Sequence, residues 1–324
     1  MRRAAKAALA LLAFLFLATP VAPGPEPGPG SPAIASLFAE PVPLDADNPG
    51  ANRLGPLRYL GGWVLTSDDR RFGSISAMHV EGGEVIAAGD RGTLFRFAVP
   101  GRGPRQVAIV PLTQGPGTLA NNVERDCESM AVAGDRIWLG YENSNQIWRY
   151  RLPDLQMGAR AAPPQLRHWP ANRGLEAMVR LADGRFLLIG EDEGADGLSP
   201  ALLFLGDPAV PGTAARPLRL RPPGGHRITD AALLPDGRLL LLSRGFTLSG
   251  GWSAKLLTAE LPRDAGTIIQ TRELATLARP LTVDNMEALG VTVEQGRTML
   301  WLASDDNLNP VQSSLLMKFE LVSD

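Results

Sequence analysis

Two sets of polar residues recur at matching positions of five similar segments of the chain. The first set stands ahead of a short apolar run, at intervals of about 48 to 57 residues, and comprises Ser76, Glu128, Glu176, Asp230 and Glu287. The second set follows about 14 to 18 residues later, where the next apolar run ends, and comprises Asp90 with Arg91, Glu142 with Asn143, Glu191 with Asp192, Arg244, and Asp305 with Asp306. If consecutive runs pair as antiparallel strands, both sets meet at one edge.

Four carboxylates of the first set would raise one another's pKa at such an edge unless a positive group joined them. A hard cation such as Ca²⁺ takes about six to eight oxygen ligands, which carboxylates, Asn143 and backbone carbonyls could supply. Alternatively, arginines reach in and form a mixed-charge pocket for a phosphate or polar ester. The candidates are Arg91, Arg125, Arg173 and Arg244. Any single carboxylate could instead bond backbone N–H groups and hold one segment to the next.

Two loops add acidic character to this edge. EDEGADG begins at Glu191 but lacks the spacing and the terminal glutamate of an EF-hand. SDDNLNP begins at Ser304 and carries Asp305, Asp306 and Asn307. Because Asp and Asn are also common turn formers, either loop can be explained in part without a ligand.

Several other kinds of chemistry find no support in the sequence. No GxSxG, Walker, dinucleotide-binding or HExxH motif occurs, and His79, His168 and His226 share no repeat position. A formal charge of −2, few aromatic residues and the lack of an internal basic tract argue against a nucleic-acid partner. A small anionic or ester molecule is the expected ligand.

The segments themselves predict an all-β protein. Each contains short β-type runs separated by turn signals such as ADGR, PDGR, EGGE and EQGR, and supplies four strands with the run that follows it. Four-stranded units at this period, without a helical pattern between them, indicate a β-propeller. We count five blades, or six if residues 33–56 are structured. The last unit is one strand short, and Leu57–Leu65 is expected to complete it and close the ring.

The N-terminus predicts export. Arg2, Arg3 and Lys6 precede an apolar run that is too short for a typical membrane span, as in a secretory signal peptide over residues 1–22. Residues 23–56 are rich in Pro, Gly and Ala and are expected to be a tether, followed by one propeller domain over 57–324. The protein should therefore be periplasmic or secreted, without membrane insertion after cleavage; an uncleaved N-terminal anchor is the alternative.

Three stretches carry a resemblance to a known family: RGLEAMVRLADGRFLLIGED, ITDAALLPDGRLLLLSR, and the run from DNMEALGV to LLMKFEL. They resemble the phytase-like propeller family described as having esterase-like activity, found in exported bacterial proteins. The resemblance covers about residues 74–321 and implies a hydrolase-like propeller, by analogy with calcium-dependent phytases that hold phosphate through metal ions at the channel mouth. The site residues it implies are Glu176, Glu287, Asp305, Asp306 and Asn307, with Glu128 and Asp230 in equivalent register. The first unit departs from the pattern at Ser76.

Two functional hypotheses follow. In the first, the protein is a metal-assisted phosphoric or carboxylic ester hydrolase, in which Glu176 or Glu287 is the general base and Arg244 or Arg91 orients the anion. The expected Ca²⁺ ligands are Glu128, Asp230, Glu142, Glu191, Asp305, Asp306 and Asn307, and the other ligand-binding residues are Arg91, Arg125, Arg173, Arg244 and Asn143. In the second, the same mouth binds a small polar ligand or an envelope component without catalysis.

Overall fold

A computed structural model describes residues 30–119, 123–261 and 266–322. The predicted signal peptide lies outside these ranges. The described residues contain no α-helix, only a short 3-10 turn at Val123–Arg125. None of them forms a helix long and apolar enough to cross a bilayer.

Three strands precede the repeated segments. They are β1 (Ala33–Val42), β2 (Arg53–Leu54) and β3 (Leu57–Ser67). The expectation of a tether over residues 23–56 is therefore wrong for the part that forms β1 and β2. The reason is local: the Pro- and Gly-rich composition ends near Pro32, and AIASLFAEPV, which follows, has the apolar content of a strand.

Together with β3, the remaining nineteen strands form five four-stranded antiparallel units within the described residues. Unit 1 contains β4 (Ile75–Glu81), β5 (Glu84–Gly89), β6 (Thr93–Ala98) and β7 (Gln106–Pro111). Unit 2 contains β8 (Cys127–Ala133), β9 (Arg136–Tyr141), β10 (Gln146–Arg151) and β11 (Gln156–Ala161). Unit 3 contains β12 (Leu175–Arg180), β13 (Phe186–Gly190), β14 (Ser199–Phe204) and β15 (Ala215–Arg221).

Unit 4 contains β16 (Arg227–Leu233), β17 (Leu239–Thr247), β18 (Gly251–Ala259) and β19 (Ile268–Ala278). Unit 5 contains β20 (Met286–Glu294), β21 (Arg297–Ser304) and β22 (Leu315–Leu321), and β3 is its fourth strand. The hairpins are tight where the sequence predicts them: Gln295 and Gly296, between β20 and β21, both have positive φ, as a type I′ turn requires.

The units close into a propeller. The first strands β4, β8, β12, β16 and β20 lie beside one another in a cycle, with β20 returning to β4. The predicted closure is confirmed, because β3 pairs antiparallel with β22 and so joins the N-terminal strand to the C-terminal unit. Strand β1 adds a second link, since Ala33–Ser36 pairs with β7 of unit 1 and Leu37–Val42 pairs with β3.

The apolar core is divided among the contacts between units. Each pair of neighbouring units shares one cluster of buried side chains, represented by Tyr141, Phe186, Leu241, Phe319 and Trp301 in order around the ring. The single cysteine, Cys127, is free and fully buried in one of them. Because burial of these side chains removes apolar surface from water, it holds each first strand against its neighbours and fixes the ends that form the site.

Candidate active site

A β-bulge near the start of each first strand positions the central side chains. In every unit the pairing with the second strand skips one residue there. The skipped residues are Ser76, Glu128, Glu176, Thr229 and Glu287. A bulged residue is released from the ladder and its side chain is re-aimed. Four of these five match the first set predicted from sequence.

Unit 4 corrects the prediction. Asp230 lies one residue past the bulge, opposite Leu242, and the equivalent of the glutamates is Thr229. The Asp230 carboxylate is buried and accepts backbone N–H bonds from Ala231 and from Leu289 of unit 5, both at 2.7 Å. Adjacent polar residues in ITDAALL made either alignment possible from sequence. Asp230 therefore joins two units and is not a candidate metal ligand.

The two hydroxyl-bearing bulge residues have a structural role. Ser76 Oγ donates to the Cys127 carbonyl of unit 2, and Thr229 Oγ1 donates to the Met286 carbonyl of unit 5 at 3.1 Å. Both acceptors immediately precede the bulge of the next unit. Only the three bulge glutamates, Glu128, Glu176 and Glu287, are left to bring charge to the centre of the ring.

The second predicted set is confirmed in register. Asp90, Glu142, Glu191 and Asp305 each donate their backbone N–H, over 2.9–3.2 Å, to the carbonyl of the residue two positions before the bulge. Arg244 takes the same place in unit 4, where it pairs with Arg227. The starts of the first strands and the ends of the second strands therefore meet at one mouth of the propeller.

A third set of residues, which was not predicted from the sequence, lies at the same mouth. These are the residues two positions before each bulge: Ser74, Asp126, Gly174, Arg227 and Asn285. Their signal was present, because polar residues stand two places ahead of Glu128 and Glu287 in the sequence. Unit 3 has glycine here because an added Cβ would come within 2.9 Å of the Asn145 side-chain oxygen and the Pro170 carbonyl.

Unit 2 contributes an acidic corner, formed by Asp126, Glu128 and Glu142. One oxygen of each carboxylate lies within 4.8 Å of the others. Asn143 donates to Asp126 Oδ2 at 2.7 Å, and Glu142 Oε1 accepts the Gly174 N–H at 2.8 Å. No salt bridge between this corner and an Arg or Lys side chain is identified in the described parts of the chain, although Glu128 and the Arg244 guanidinium interact electrostatically.

The pKa values at the acidic corner are those of carboxyl groups without a directly bonded cationic side chain. Burial raises the pKa of Glu142 to about 7, against the lowering effect of its hydrogen bonds. Burial also raises the pKa of Glu128 well above its usual range, and the neighbouring Glu176 and Asp126 carboxylates raise it further. The pKa of Asp126 is raised by burial as well. A positive charge bound at this cluster would therefore stabilise its ionised carboxylates.

Unit 4 contributes an arginine corner, formed by Arg227 and Arg244 with the carboxylates they bind. Arg244 Nη1 lies 2.8 Å from Glu287 Oε1 and 2.5 Å from Asn285 Oδ1, and its Nη2 lies 3.3 Å from Glu191 Oε1. Arg227 Nη1 lies 3.2 Å from Glu191 Oε2. The guanidinium of Arg244 is thus held in place between units 3 and 5.

The two predicted general bases lie between these corners, and each is only 5% exposed. Burial raises the pKa of Glu287 to about 8, although Arg244 acts to lower it. Burial raises the pKa of Glu176 well above its usual range, and the carboxylates of Glu142, Glu191 and Glu287 add to that shift. Glu287 is thus bonded to a guanidinium, whereas Glu176 lies among other carboxylates.

Units 1 and 5 close the mouth with two further carboxylates. Burial raises the pKa of Asp90 to about 6 and that of Asp305 to about 7. Asp305 Oδ1 accepts the Asn307 N–H at 2.6 Å, so the carboxylate shapes its own loop. Asp90 Oδ1 is buried without a hydrogen-bond partner among the described groups.

Several predicted ligands are placed in structural contacts instead. Asp306 accepts the N–H groups of Ser74 and Leu308 and the Ser314 hydroxyl, and Asn307 Nδ2 donates to Gln312. These bonds occupy both Asp306 oxygens and order the loop after β21.

The other three predicted arginines also lie outside the two corners. Arg125 is only 3% exposed and donates to the Leu112 carbonyl at 2.5 Å. Arg173 lies 3.8 Å from Asp192, and Arg91 lines a side cavity of about 1140 Å³ together with Asp306. Among the predicted arginines, Arg244 is the one bonded to the central carboxylates.

The donor chemistry of the acidic corner fits a hard divalent cation. Carboxylate oxygens are the ligands that Ca²⁺ prefers, and three of them converge here with raised proton affinity. Among the described residues, Asp126, Glu128 and Glu142 therefore form the group that could hold a metal ion. Glu128 and Glu142 were predicted as metal ligands from the sequence, whereas Asp126 was not. Glu191, which was also predicted as a metal ligand, is bonded to arginine instead.

The fold and the site define a β-propeller with an acidic mouth that also bears arginine. The phytase-like family, described by the esterase-like activity of phytase, matches residues 70–308, well over half of the chain. The chain belongs to this phytase-like family. No curated protein sequence matches it.

Solved structures give more distant likenesses. Glutaminyl cyclase from Myxococcus xanthus is 12% identical over 83% of this chain and 97% of its own, with a TM-score of 0.48. The PQQ-bound aldose sugar dehydrogenase from Streptomyces coelicolor is 12% identical over 90% of this chain and 98% of its own, with a TM-score of 0.45. At these scores, neither likeness carries an argument about the activity of this chain.

Proposed function

We propose that the mouth hydrolyses phosphoric or carboxylic esters with the help of a divalent cation, Ca²⁺ in the first instance, held by Asp126, Glu128 and Glu142. The observation that carries this proposal is the division of charge across the mouth. A cluster of three carboxylates lies on one side, and the guanidinium of Arg244 is bonded to Glu287 and Glu191 on the other. An ester with a negative or polarised oxygen fits between a cation and a guanidinium.

In this reaction a water oxygen bonds to the carbonyl carbon or phosphorus, and the ester bond to the leaving oxygen breaks. The water proton passes to a carboxylate and then to the departing alkoxide, which leaves as an alcohol. A divalent cation held by Asp126, Glu128 and Glu142 would supply charge stabilisation and lower the pKa of a nearby water. The chain supplies the base, the anion-binding group and their orientation.

Glu176 is the general base of the proposal. It lies beside Glu142, Glu191 and Glu287 and is not one of the carboxylates bonded to Arg244. Its ionised form would accept the water proton. Glu287 and Asn285 have a different task, since both bond to Arg244 Nη1 and hold the guanidinium toward the centre. Arg244 binds the negative oxygen of the substrate, and the N-terminal sequence supports a location for the reaction outside the cytoplasm.

The test is turnover of a panel of phosphate monoesters and carboxylic esters with added Ca²⁺ or chelator. Glu176→Gln should lower kcat at least about 100-fold, in the range of general acid–base catalysis, while Ca²⁺ binding persists. Glu84→Gln, at an exposed strand start away from the mouth, is the matched control and should leave turnover unchanged. Unchanged turnover in Glu176→Gln would overturn the assignment of the base, and Ca²⁺ binding without turnover on any substrate would indicate a binding module instead.

A further inference from the structure

One hairpin rises above the mouth. The second strands of the other four units end at Gly89, Tyr141, Gly190 and Ser304, which are equivalent to Ser243 of unit 4. Strand β17 instead continues to Thr247, and β18 returns from Gly251. Unit 4 therefore extends a two-stranded ribbon past the mouth, directly beyond Arg244.

Two aromatic rings lie on the face of this ribbon that bears Arg244. Arg244 pairs with Ala254 and Phe246 pairs with Trp252, so alternation along the strands puts Arg244, Phe246 and Trp252 on one face. The Phe246 and Trp252 ring centroids are 4.9 Å apart in an edge-on arrangement. The Arg244 guanidinium carbon lies 5.9 Å from the centroid of the Trp252 ring. The aromatic pair thus lies next to Arg244, whose guanidinium binds Glu287 and Glu191.

The opposite face of the ribbon is supported from behind. Ser253 Oγ lies 3.0 Å from His226 Nε2. A Cβ on Gly245 would come within 2.7 Å of the Gly225 carbonyl, so the ribbon packs directly on this segment. These contacts hold the aromatic face in a fixed position relative to Arg244.

The rings are available to a ligand. Phe246 is 54% exposed and Trp252 is half-buried, while Leu248 at the tip is 99% exposed. An aromatic pair beside a cluster of polar groups has the composition of a small-molecule site, where apolar rings bind the bulk of a ligand and polar groups orient it. Flat rings also gain from edge-on and offset contacts with other aromatic groups.

We propose that Phe246 and Trp252 form a substrate subsite for an aromatic group, and that the substrates are aryl esters or aryl phosphates whose polar end reaches Arg244. This inference rests on the proposed function, and it names the substrate class of the same site. The acidic mouth would bind the ester or phosphate group that reacts, and the ribbon would bind the aromatic group attached to it.

Binding of two non-hydrolysable probes tests the subsite independently of turnover. Calorimetry should show that phenylphosphonate binds the Ca²⁺-loaded protein about 10-fold more tightly than methylphosphonate, as expected from one aromatic contact. Trp252→Ala and Phe246→Ala should each reduce that preference, and Trp252→Phe should retain most of it. Leu248→Ser is the matched control on the same hairpin and should keep the full preference.

Equal binding of the two phosphonates, binding of neither, or a preference unchanged in both alanine variants would overturn the subsite. Because Phe246 is largely exposed, its variant tests the proposal even if Trp252→Ala fails to fold. A phenyl preference in a protein that hydrolyses no ester would support the subsite and refute the proposed reaction. Hydrolysis of small and aryl esters without any preference for phenylphosphonate would support the proposed reaction and refute the subsite.

Discussion

The acidic corner and the arginine corner are built on equivalent backbone positions, but the residues that units 2 and 4 contribute there have opposite charge. At three equivalent positions unit 2 has Asp126, Glu128 and Glu142, whereas unit 4 has Arg227, Thr229 and Arg244. In both units the bulge lies directly after an equivalent residue of the first strand, Cys127 in unit 2 and Ile228 in unit 4. The difference shows that the propeller fixes where side chains converge, and that the residues at these positions decide what the mouth can bind.

The two corners also differ in how their charge is satisfied. At the arginine corner, Glu191 and Glu287 lie within 3.3 Å of a guanidinium nitrogen. At the acidic corner, the identified polar contacts in the described residues are Asn143, the Gly174 N–H and other carboxylates. The arginine corner has its charges paired within the protein, whereas the acidic corner would be stabilised by a bound cation.

Removal of Arg244 should have the largest effect. Arg244→Ala leaves the buried Glu287 and Glu191 carboxylates with a missing partner, and we expect a loss of about 4 kcal/mol in the free energy of unfolding. Hydrolysis should be lost in the same variant. Arg244→Lys keeps the charge without the planar fork, so it should recover stability in part but little activity. Denaturant unfolding at pH 7 measures the difference, and a stable, active Arg244→Ala protein would remove the distinction between the corners.

The pH dependence of stability should be smaller but visible. The folded pKa values of Asp90, Asp305 and Glu287 are about 6, 7 and 8, all above the usual range of unfolded carboxyl groups. The folded state therefore holds more protons than the unfolded state between about pH 4 and pH 8. In the presence of chelator, stability should fall by at least about 2 kcal/mol as the pH rises from 5 to 8.

Thermal unfolding from pH 5 to pH 9, with chelator and with Ca²⁺, measures this dependence. Saturating Ca²⁺ should flatten the decline because a cation stabilises the ionised carboxylates. The control Glu84→Gln should follow the wild-type curve. A melting temperature that rises with pH in chelator would show that the mouth carboxylates are already compensated.

The smallest effect should come from Asp230, which separates structural acids from site acids. Asp230→Asn keeps one acceptor oxygen but weakens the link to the Ala231 and Leu289 N–H groups. We expect a loss of about 1 kcal/mol in stability, typical of one hydrogen bond, with hydrolysis and Ca²⁺ binding unchanged. Thr229→Val should likewise leave Ca²⁺ binding intact. Loss of Ca²⁺ affinity in Asp230→Asn would restore that residue to the metal site.

The fold was largely predictable because its sequence signals repeat along the chain. Turn residues and apolar runs recur in every unit. The last unit lacks a fourth strand in sequence, and β3 supplies it by pairing with β22 as expected. Strand β1 was missed because it follows a Pro-rich stretch, and because its pairing with units 1 and 5 depends on a closed ring. A contact that exists only after closure leaves no local pattern in sequence.

The site was predictable in position but not in membership. Bulges move one residue out of the ladder, and sequence cannot tell whether Thr229 or Asp230 is the one displaced. The sequence also cannot separate a carboxylate that caps backbone N–H groups, such as Asp306, from one that faces other carboxylates, such as Glu128. Arg125 was misassigned for a similar reason, since its partner is a backbone carbonyl in a neighbouring unit.

The central claim is that the acidic corner binds a cation, and calorimetric titration of chelator-treated protein with Ca²⁺ tests it most directly. We predict one saturable site in the wild type, and a loss of at least about 100-fold in affinity when two of its carboxylates are removed in Glu128→Gln/Glu142→Gln. Asp230→Asn and Glu84→Gln should bind as the wild type does. Wild-type protein that binds no Ca²⁺, or a double variant that binds it equally well, would contradict the account.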